Sequence, residues 1–156
     1  MKPASCFPLS SAMRRFFTLP TAVALLLATP LQLLAVVDDS HSMAMEAAVD
    51  AVKAGFKIRQ EYWSGILKSG EQKMVKQQLF KGNEYWFFLG TDEDKIALKV
   101  EVLDRKGAKI QVETQLKPNA AAVRVLAPAT GTYYIVFSLN GKENEKIPWA
   151  LAYGYR

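Results

Sequence analysis

The sequence predicts an all-β protein: an antiparallel β-sandwich of seven to eight strands, preceded by one N-terminal amphipathic helix. Two observations support this prediction. From residue 71 onward, apolar and polar residues alternate with a period of two, and turn signals recur about every 8–12 residues. Between residues 40 and 65, the apolar residues instead recur at steps of three and four, which is a helical period.

Residues 1–35 are predicted to be a secretory signal peptide and are set apart from the fold. Lys2, Arg14 and Arg15 precede an uncharged, mostly apolar stretch over residues 18–35 that ends in small residues. This order of charge, apolar run and small residues is typical of an export signal. We therefore expect a bacterial protein that is secreted or periplasmic.

Processing is expected to remove this leader by cleavage after Ala35, with Ala28 and Ala44 as alternatives. The start of translation could also be Met13, because a complete export signal begins again there. The opposing interpretation is an uncleaved anchor. Prolines interrupt the apolar run, whereas a span needs about 20 mostly apolar residues. We therefore expect no stable membrane span after cleavage.

The charge of the chain is concentrated in the leader. Three of the 20 Lys and Arg residues lie within residues 1–35, and none of the 15 Asp and Glu residues does, so the remaining chain carries a net charge of +2. Nucleic-acid binding requires a concentrated basic face, so we expect no nucleic-acid partner. Cys6 is the one cysteine of the sequence, and the exported part must fold without a disulfide.

Residues 36–70 are predicted to be a linker followed by the amphipathic helix. Its stripe steps by four and three residues through Met45, Val49, Val52, Phe56, Arg59 and Trp63. Ser40 or Ser42 is expected to cap the helix, and Gly65 to end it. The stripe is interpreted as packing on the sandwich of the same chain, and the alternative is a partner-binding helix.

Residues 71–156 are predicted to form the β-sandwich domain. The predicted strands are 73–80, 84–90, 96–103, 108–116, 121–127, 132–139 and 148–156. The strand over 132–139 is apolar on both faces, which indicates a central strand covered on both sides, with the helix as the candidate cover of one of them. Before it, Pro128 is expected to fix one φ angle and Gly131 to adopt a positive φ, which would set the direction of the strand.

Three stretches of this domain, taken in order, resemble the motifs of the bacterial pre-peptidase C-terminal domain. Residues 80–85 are similar to its opening Gly-x-x-Tyr turn, residues 98–107 to its alternating strand with an Asp-x-x-Gly turn, and residues 127–134 to its Ala-Pro…Gly-x-Tyr-Tyr signature. The resemblance covers about residues 70–156. It implies a jelly-roll-like sandwich and a non-catalytic module for adhesion, folding or attachment to a polymer.

Catalytic chemistry is not expected. A nucleophile needs a titrating base beside it, and the sequence has one histidine, His41, which is predicted to lie in a tail. Without cysteine in the exported part, the ligands of a zinc site are lacking. No Gly-rich phosphate-binding motif is present. The prediction is therefore that the protein is not an enzyme.

Calcium is the single metal that the sequence leaves open. Some members of the resembled family bind calcium, and Asp92 and Asp94 offer oxygen ligands on the turn over residues 91–95. The interpretation we favour is a solvated turn, because calcium needs more ligands than this turn provides. The strand that follows, which begins with aspartates in many members, here begins with Lys95 and Ile96. We expect no other cofactor.

Five aromatic residues are the candidate ligand-binding residues. Trp149, Tyr153 and Tyr155 share one face of the last strand, and Trp86 and Phe88 share the second face of another. Such rows serve either as core or as a surface for a sugar or a protein. Trp86 and Phe88 are the better candidates for exposure, and the helix, a partner protein or a glycan would cover them.

Two functions follow from these observations. The first is a module that binds a protein or a polysaccharide outside the cytoplasm. The alternative is a structural or accessory subunit of a secreted assembly, or a stability module, with no small ligand of its own. Exposed aromatic residues would favour binding, and sequestered ones would favour the structural role.

Overall fold

The computed structural model describes residues 38–156, which form one helix and two antiparallel sheets. The helix α1 spans Asp39–Lys53. The strands are β1 (Lys57–Ile58), β2 (Trp63–Lys68), β3 (Gln72–Leu79), β4 (Glu84–Gly90), β5 (Ala97–Leu103), β6 (Glu113–Lys117), β7 (Ala120–Leu126), β8 (Gly131–Asn140) and β9 (Lys146–Tyr155). The prediction of an all-β sandwich with one N-terminal helix is confirmed, with nine strands in place of seven or eight.

Sheet A has the strand order β1-β9-β4-β7-β6, and β2 pairs with β9 beside β1. Sheet B has the order β3-β8-β5. The inner faces of the two sheets enclose the main core, in which Phe87 and Leu151 of sheet A and Ile135 of sheet B are fully buried. The alternation that predicted the strand over 96–103 is confirmed, because Val100 and Val102 face this core.

A second apolar layer lies on the other face of sheet A, beneath α1. Ala44, Ala47, Ala48 and Ala51 form the buried side of the helix. Small side chains let a helix axis come close to a sheet, and this helix lies against the aromatic rings of Trp86 and Phe88. Because both faces of β4 are thus covered, every residue from Tyr85 to Gly90 is buried.

The predicted helix was wrong in its length, its cap and its buried face. The helix ends at Lys53, and Gly55 follows it with a φ of 89°. The cap is Asp38, whose carboxylate accepts a hydrogen bond from the His41 amide at 3.1 Å. Val49 and Val52 of the predicted stripe are exposed, because the narrow alanine face fits the sheet more closely than a face of branched side chains.

Residues 57–65, which were predicted to be helical, instead contribute with residues 66–68 to β1 and β2 of the sandwich. Both strands pair with β9, with Ile58 opposite Gly154 and Trp63 opposite Leu151. Trp63, Gly65 and Leu67 face inward with a period of two, which is a strand pattern that the helical steps concealed. Hydrogen bonding to the free edge of β9 outweighs the local preference for a helix.

The strand over 131–140 is central, as predicted, but it is not covered on both faces. Ile135 and Phe137 are buried, whereas Tyr134 and Val136 are only half-buried, because α1 packs on the other sheet. Gly131 does not adopt a positive φ. The turn before it is held instead by Tyr133, whose hydroxyl donates to the Ala129 carbonyl at 2.9 Å.

The predicted strand over 108–116 is also shorter than expected. β6 begins at Glu113, and all of its residues are exposed because it is an edge strand. The turn over residues 104–107 forms as predicted, because the Asp104 carboxylate accepts hydrogen bonds from the Lys106 and Ala108 amides at 2.8 and 2.9 Å. Lys109 and Ile110 then bond back to Leu103 and Val102 of β5, so the chain pairs with β7 only from Glu113.

The predicted leader, the second start at Met13 and cleavage after Ala28 or Ala35 concern residues outside the described part of the chain. No helix within residues 38–156 combines the length and the apolar character needed to cross a bilayer.

Candidate functional site

A groove of about 680 Å³ runs along one side of the sandwich. Residues 62–67 line it from sheet A, residues 73–76 line it from sheet B, and Trp149 completes the lining. The groove exists because β2 pairs only with β9 and β3 pairs only with β8 among residues 38–156. Two strand edges without a neighbour therefore border it. We call it the β2–β3 groove.

Trp149 is the most unusual residue of this groove. Its side chain is buried, and its ring meets Phe137 edge-on, with centroids 4.8 Å apart. Among the described residues, no group accepts a hydrogen bond from its indole Nε1. A buried donor without a partner costs about 1–3 kcal/mol. Such a donor therefore requires an explanation beyond packing.

Gly65 lies opposite Trp149 in the pairing of β2 with β9. A Cβ at position 65 would lie 3.3 Å from Cζ2 and 3.5 Å from Nε1 of the indole. The space that the missing side chain leaves is thus within hydrogen-bonding reach of the N–H. Glycine inside a strand often marks a place where another chain or ligand approaches closely.

Tyr153 and Tyr155 lie on the same face of β9, beside a second cleft of about 260 Å³. Arg59, Gln77 and Phe80 also line this cleft. The negative charge of Glu61, with a smaller contribution from Tyr153, raises the pKa of Arg59 above its ordinary value, so the guanidinium there stays charged. Three of the five candidate aromatic residues therefore lie along one side of the sandwich.

The ring of Tyr153 is covered by aromatic neighbours. Its centroid lies 5.5 Å from that of Trp63, and 6.0 Å from that of Phe87 in a stacked arrangement. Tyr155 lies 6.3 Å from Tyr85. One face of Tyr153 is thus stacked within the sandwich, and both half-buried tyrosines border the cleft.

Trp86 and Phe88, the other two candidates, lie beneath α1. Their rings stack with centroids 5.7 Å apart, and Phe56 meets Trp86 edge-on at 6.4 Å. Of the three partners considered for these rings, the helix is the one that covers them. They are buried in the second apolar layer and do not border the groove.

The acidic turn at residues 91–95 fastens the helix to the sheet. The Ser40 hydroxyl donates to Asp92 Oδ1 at 2.8 Å. The Thr91 hydroxyl donates to the Pro148 carbonyl at 2.8 Å. Among residues 38–156, no three His, Cys, Asp or Glu side chains are grouped to hold a metal ion.

His41 lies in the first turn of α1 and not in a tail as predicted. Its ring stacks on Tyr62, with centroids 3.8 Å apart and an interplanar angle of 10°. Loss of solvent around the phenol, with a smaller contribution from the Asp38 carboxylate, raises the pKa of Tyr62 above its ordinary value, so the phenol stays neutral.

Sequence reasoning missed Tyr62, Gly65 and Lys73 as groove residues. The alternation from Trp63 onward was the signal that could have revealed them.

Two of the three motif stretches meet as neighbouring loops. The Lys81 amide donates to the Thr130 hydroxyl at 3.0 Å, and the Gly82 amide donates to the Ala127 carbonyl at 3.0 Å. The third stretch ends at the turn that Asp104 closes.

A scan against protein-family models and a search of curated proteins give no match to this chain.

Proposed function

We propose that this chain is an exported, non-catalytic module that binds a protein or a polysaccharide through the β2–β3 groove. The observation that carries the proposal is the Trp149 indole N–H, a buried donor without a partner beside the strand position that has no side chain. A polar ligand atom at this position would give the donor its missing acceptor. The shape and the open strand edges of the groove suit an extended polymer.

The resemblance to the pre-peptidase C-terminal domain supports a module of this kind, with a jelly-roll-like arrangement of strands. In the structure, the motif residues have local structural roles: Thr130 and Gly82 join two loops, and Asp104 closes a turn. They do not line the groove. The proposed binding surface is thus separate from the residues that carry the resemblance.

A role without catalysis is consistent with the surroundings of His41. Its ring is stacked on Tyr62, and no nucleophile contacts it among the described hydrogen bonds. The proposal also involves no cofactor, and it assigns Asp92 to the hydrogen bond from Ser40 that fastens α1 to the sheet. A melting temperature that rises in millimolar calcium and falls again with a chelator would overturn this part of the proposal.

A structural or accessory role is the second candidate. The specific observation that favours it is the burial of Trp86 and Phe88 beneath α1, which removes most of the surface of these rings from contact with a ligand. Under this alternative, the module would dock through its surface and bind no polymer in the groove.

The experiment is a screen of the exported protein on an array of glycans and extracellular proteins. Hits are then tested against a variant with the groove obstructed, Gly65→Phe. A matched control is Gly131→Phe, because a Cβ at position 131 meets no atom within 4 Å and this residue, at the start of β8, does not line the groove. Binding that Gly65→Phe abolishes and Gly131→Phe retains supports the proposal. Binding that both variants retain would place the ligand elsewhere and overturn it.

A further inference from the structure

We propose that the ligand of the β2–β3 groove is an extended acidic peptide that joins sheet A as an additional strand along β2. A carboxylate of this peptide would enter the groove between the Trp149 N–H and the Lys73 ammonium group. This inference rests on the proposed function and names the class of ligand.

The free edge of β2 offers main-chain groups for such a strand. The Lys68 amide donates to the Glu71 carboxylate at 3.2 Å, so it points away from β9. Main-chain groups of alternate residues in an antiparallel strand point to the same side. The amides and carbonyls of Ser64 and Ile66 therefore also point to the free edge. An extended peptide supplies the alternating N–H and C=O groups that match this edge.

The interior of the groove offers two donors to an inward-facing side chain. One is the Trp149 N–H, with the space beside Gly65 within its reach. The other is Lys73, which lies opposite the buried Phe137 in the register of β3 with β8 and so faces inward from an edge. A carboxylate of the peptide, placed opposite Gly65, would accept hydrogen bonds from both the Trp149 N–H and the Lys73 ammonium group.

The charge of the lining favours an acidic ligand. Lys73 and Lys76 are the two charged residues of the lining, and neither forms an ion pair with another residue in the range 38–156. The neighbouring acids are engaged elsewhere, since Glu61 pairs with Arg59 at 3.1 Å and Glu71 accepts from the Lys68 amide. An anionic segment is thus electrostatically complementary to the groove.

Two other occupants fit less well. A sugar ring stacks on an exposed aromatic face, whereas the Trp149 ring of the groove is buried against Phe137. The same face of a second copy would bring Lys73 and Lys76 against their own counterparts. Inward-pointing charges on an edge strand are moreover a feature that opposes edge-to-edge association of identical chains.

The test is a titration of the exported, ¹⁵N-labelled protein with an acetylated and amidated peptide of alternating Thr and Val around a central Glu. We expect the Trp149 indole N–H signal and the amide signals of Ser64 and Ile66 to shift together. The same peptide with a central Lys should bind about tenfold more weakly or worse, which corresponds to about 1.4 kcal/mol.

Two variants make the test specific. Trp149→Phe keeps a ring but removes the N–H and should weaken binding about tenfold. Ile66→Pro removes the outward N–H and blocks the free edge, while its matched control Ile66→Thr keeps the amide. A proline whose missing N–H faces solvent is tolerated on an edge strand, so Ile66→Pro should fold but lose the peptide. Equal binding by Ile66→Pro and Ile66→Thr would overturn strand addition.

The outcomes separate this inference from the proposed function. If a glycan or a folded protein shifts the groove signals and the acidic peptide does not, the inference is wrong and the proposed function stands. If no ligand shifts the signals of residues 62–67 or 73–76, both are wrong. If these signals shift with protein concentration alone and sedimentation shows a dimer, the occupant is a second copy and the inference is overturned.

Discussion

Gly90 of β4 lies directly against Ala44 of α1: a Cβ at position 90 would overlap the Ala44 backbone nitrogen. It would also overlap the Ser40 carbonyl oxygen. Both of these are main-chain atoms, which cannot move aside as the end of a flexible side chain can. The absence of a side chain at position 90 therefore sets how closely the helix approaches the sheet.

Gly90→Ala should displace the helix and lower the free energy of unfolding by about 1–3 kcal/mol, as overpacking does elsewhere. Urea unfolding followed by tryptophan fluorescence measures this loss. Gly131→Ala is the matched control, because an added Cβ there meets no atom within 4 Å, and its midpoint should stay near that of the parent. Equal midpoints for the two variants would contradict the close packing of α1 on β4.

Glu84 should make stability depend on pH in the acidic range. Burial, the largest single influence, raises its pKa, but hydrogen bonds from Arg124 and Arg156 together outweigh burial and hold the pKa below 4.5. A carboxylate with a lowered pKa in the folded state stabilises above its unfolded pKa, and this contribution is lost as the pH falls through the folded pKa.

Glu84→Gln should therefore be less stable than the parent at about pH 7 by up to about 1 kcal/mol, and the two proteins should converge as the pH falls below about 4. Chemical unfolding at a series of pH values measures the difference. Glu113→Gln, which changes a more exposed carboxylate on the same Arg124, should have a smaller effect at every pH. A stability gap at position 84 that stays constant down to about pH 2 would contradict this assignment.

Trp86 should contribute to stability and not to ligand binding. Its ring is buried between Phe56 and Phe88 beneath the helix, so Trp86→Ala should cost about 3–5 kcal/mol through the cavity it creates. Trp86→Phe keeps a ring and should bind ligands of the β2–β3 groove with unchanged affinity. Calorimetric unfolding and the binding titration measure the two effects. Loss of binding in Trp86→Phe would show that this face takes part in recognition.

The loop contact between Lys81 and Thr130 should be a small but specific source of stability. Thr130→Val removes the hydroxyl that accepts a hydrogen bond from the Lys81 amide at 3.0 Å, so it should lower the free energy of unfolding by about 1 kcal/mol. Thr130→Ser keeps the hydroxyl and should retain most of this stability. Thermal unfolding compares the two variants, and a larger loss in Thr130→Ser than in Thr130→Val would assign the effect to packing of the methyl group, which Val keeps.

Export should remove the leader after Ala35, so that the mature chain begins at Val36. Intact-mass measurement and N-terminal sequencing of protein from the culture medium or periplasm give the new end. Cleavage after Ala44 would delete the Asp38 cap and the Ser40–Asp92 hydrogen bond and should lower the melting temperature. Recovery of the uncleaved chain in the membrane fraction would contradict the prediction of a leader.

The sequence by itself determined the class of fold and the faces of most strands. Alternation such as that of Val100 and Val102 identifies the inner face, since successive side chains of a strand point to opposite sides. The positions of glycine likewise identify turns, because Gly82 and Gly107 adopt the positive φ angles that glycine permits most easily. These are local properties, written in neighbouring residues.

Only the tertiary structure decided the extent of the helix and the place of the groove. Residues 57–68 carry steps of three and four as well as alternation, and the free edge of β9 selects the strand. The alanine face of α1 is buried because Gly90 admits a close approach, which no helical stripe reveals. The groove joins Gly65, Lys73 and Trp149, which are distant in sequence, and pairing across two sheets alone brings them together.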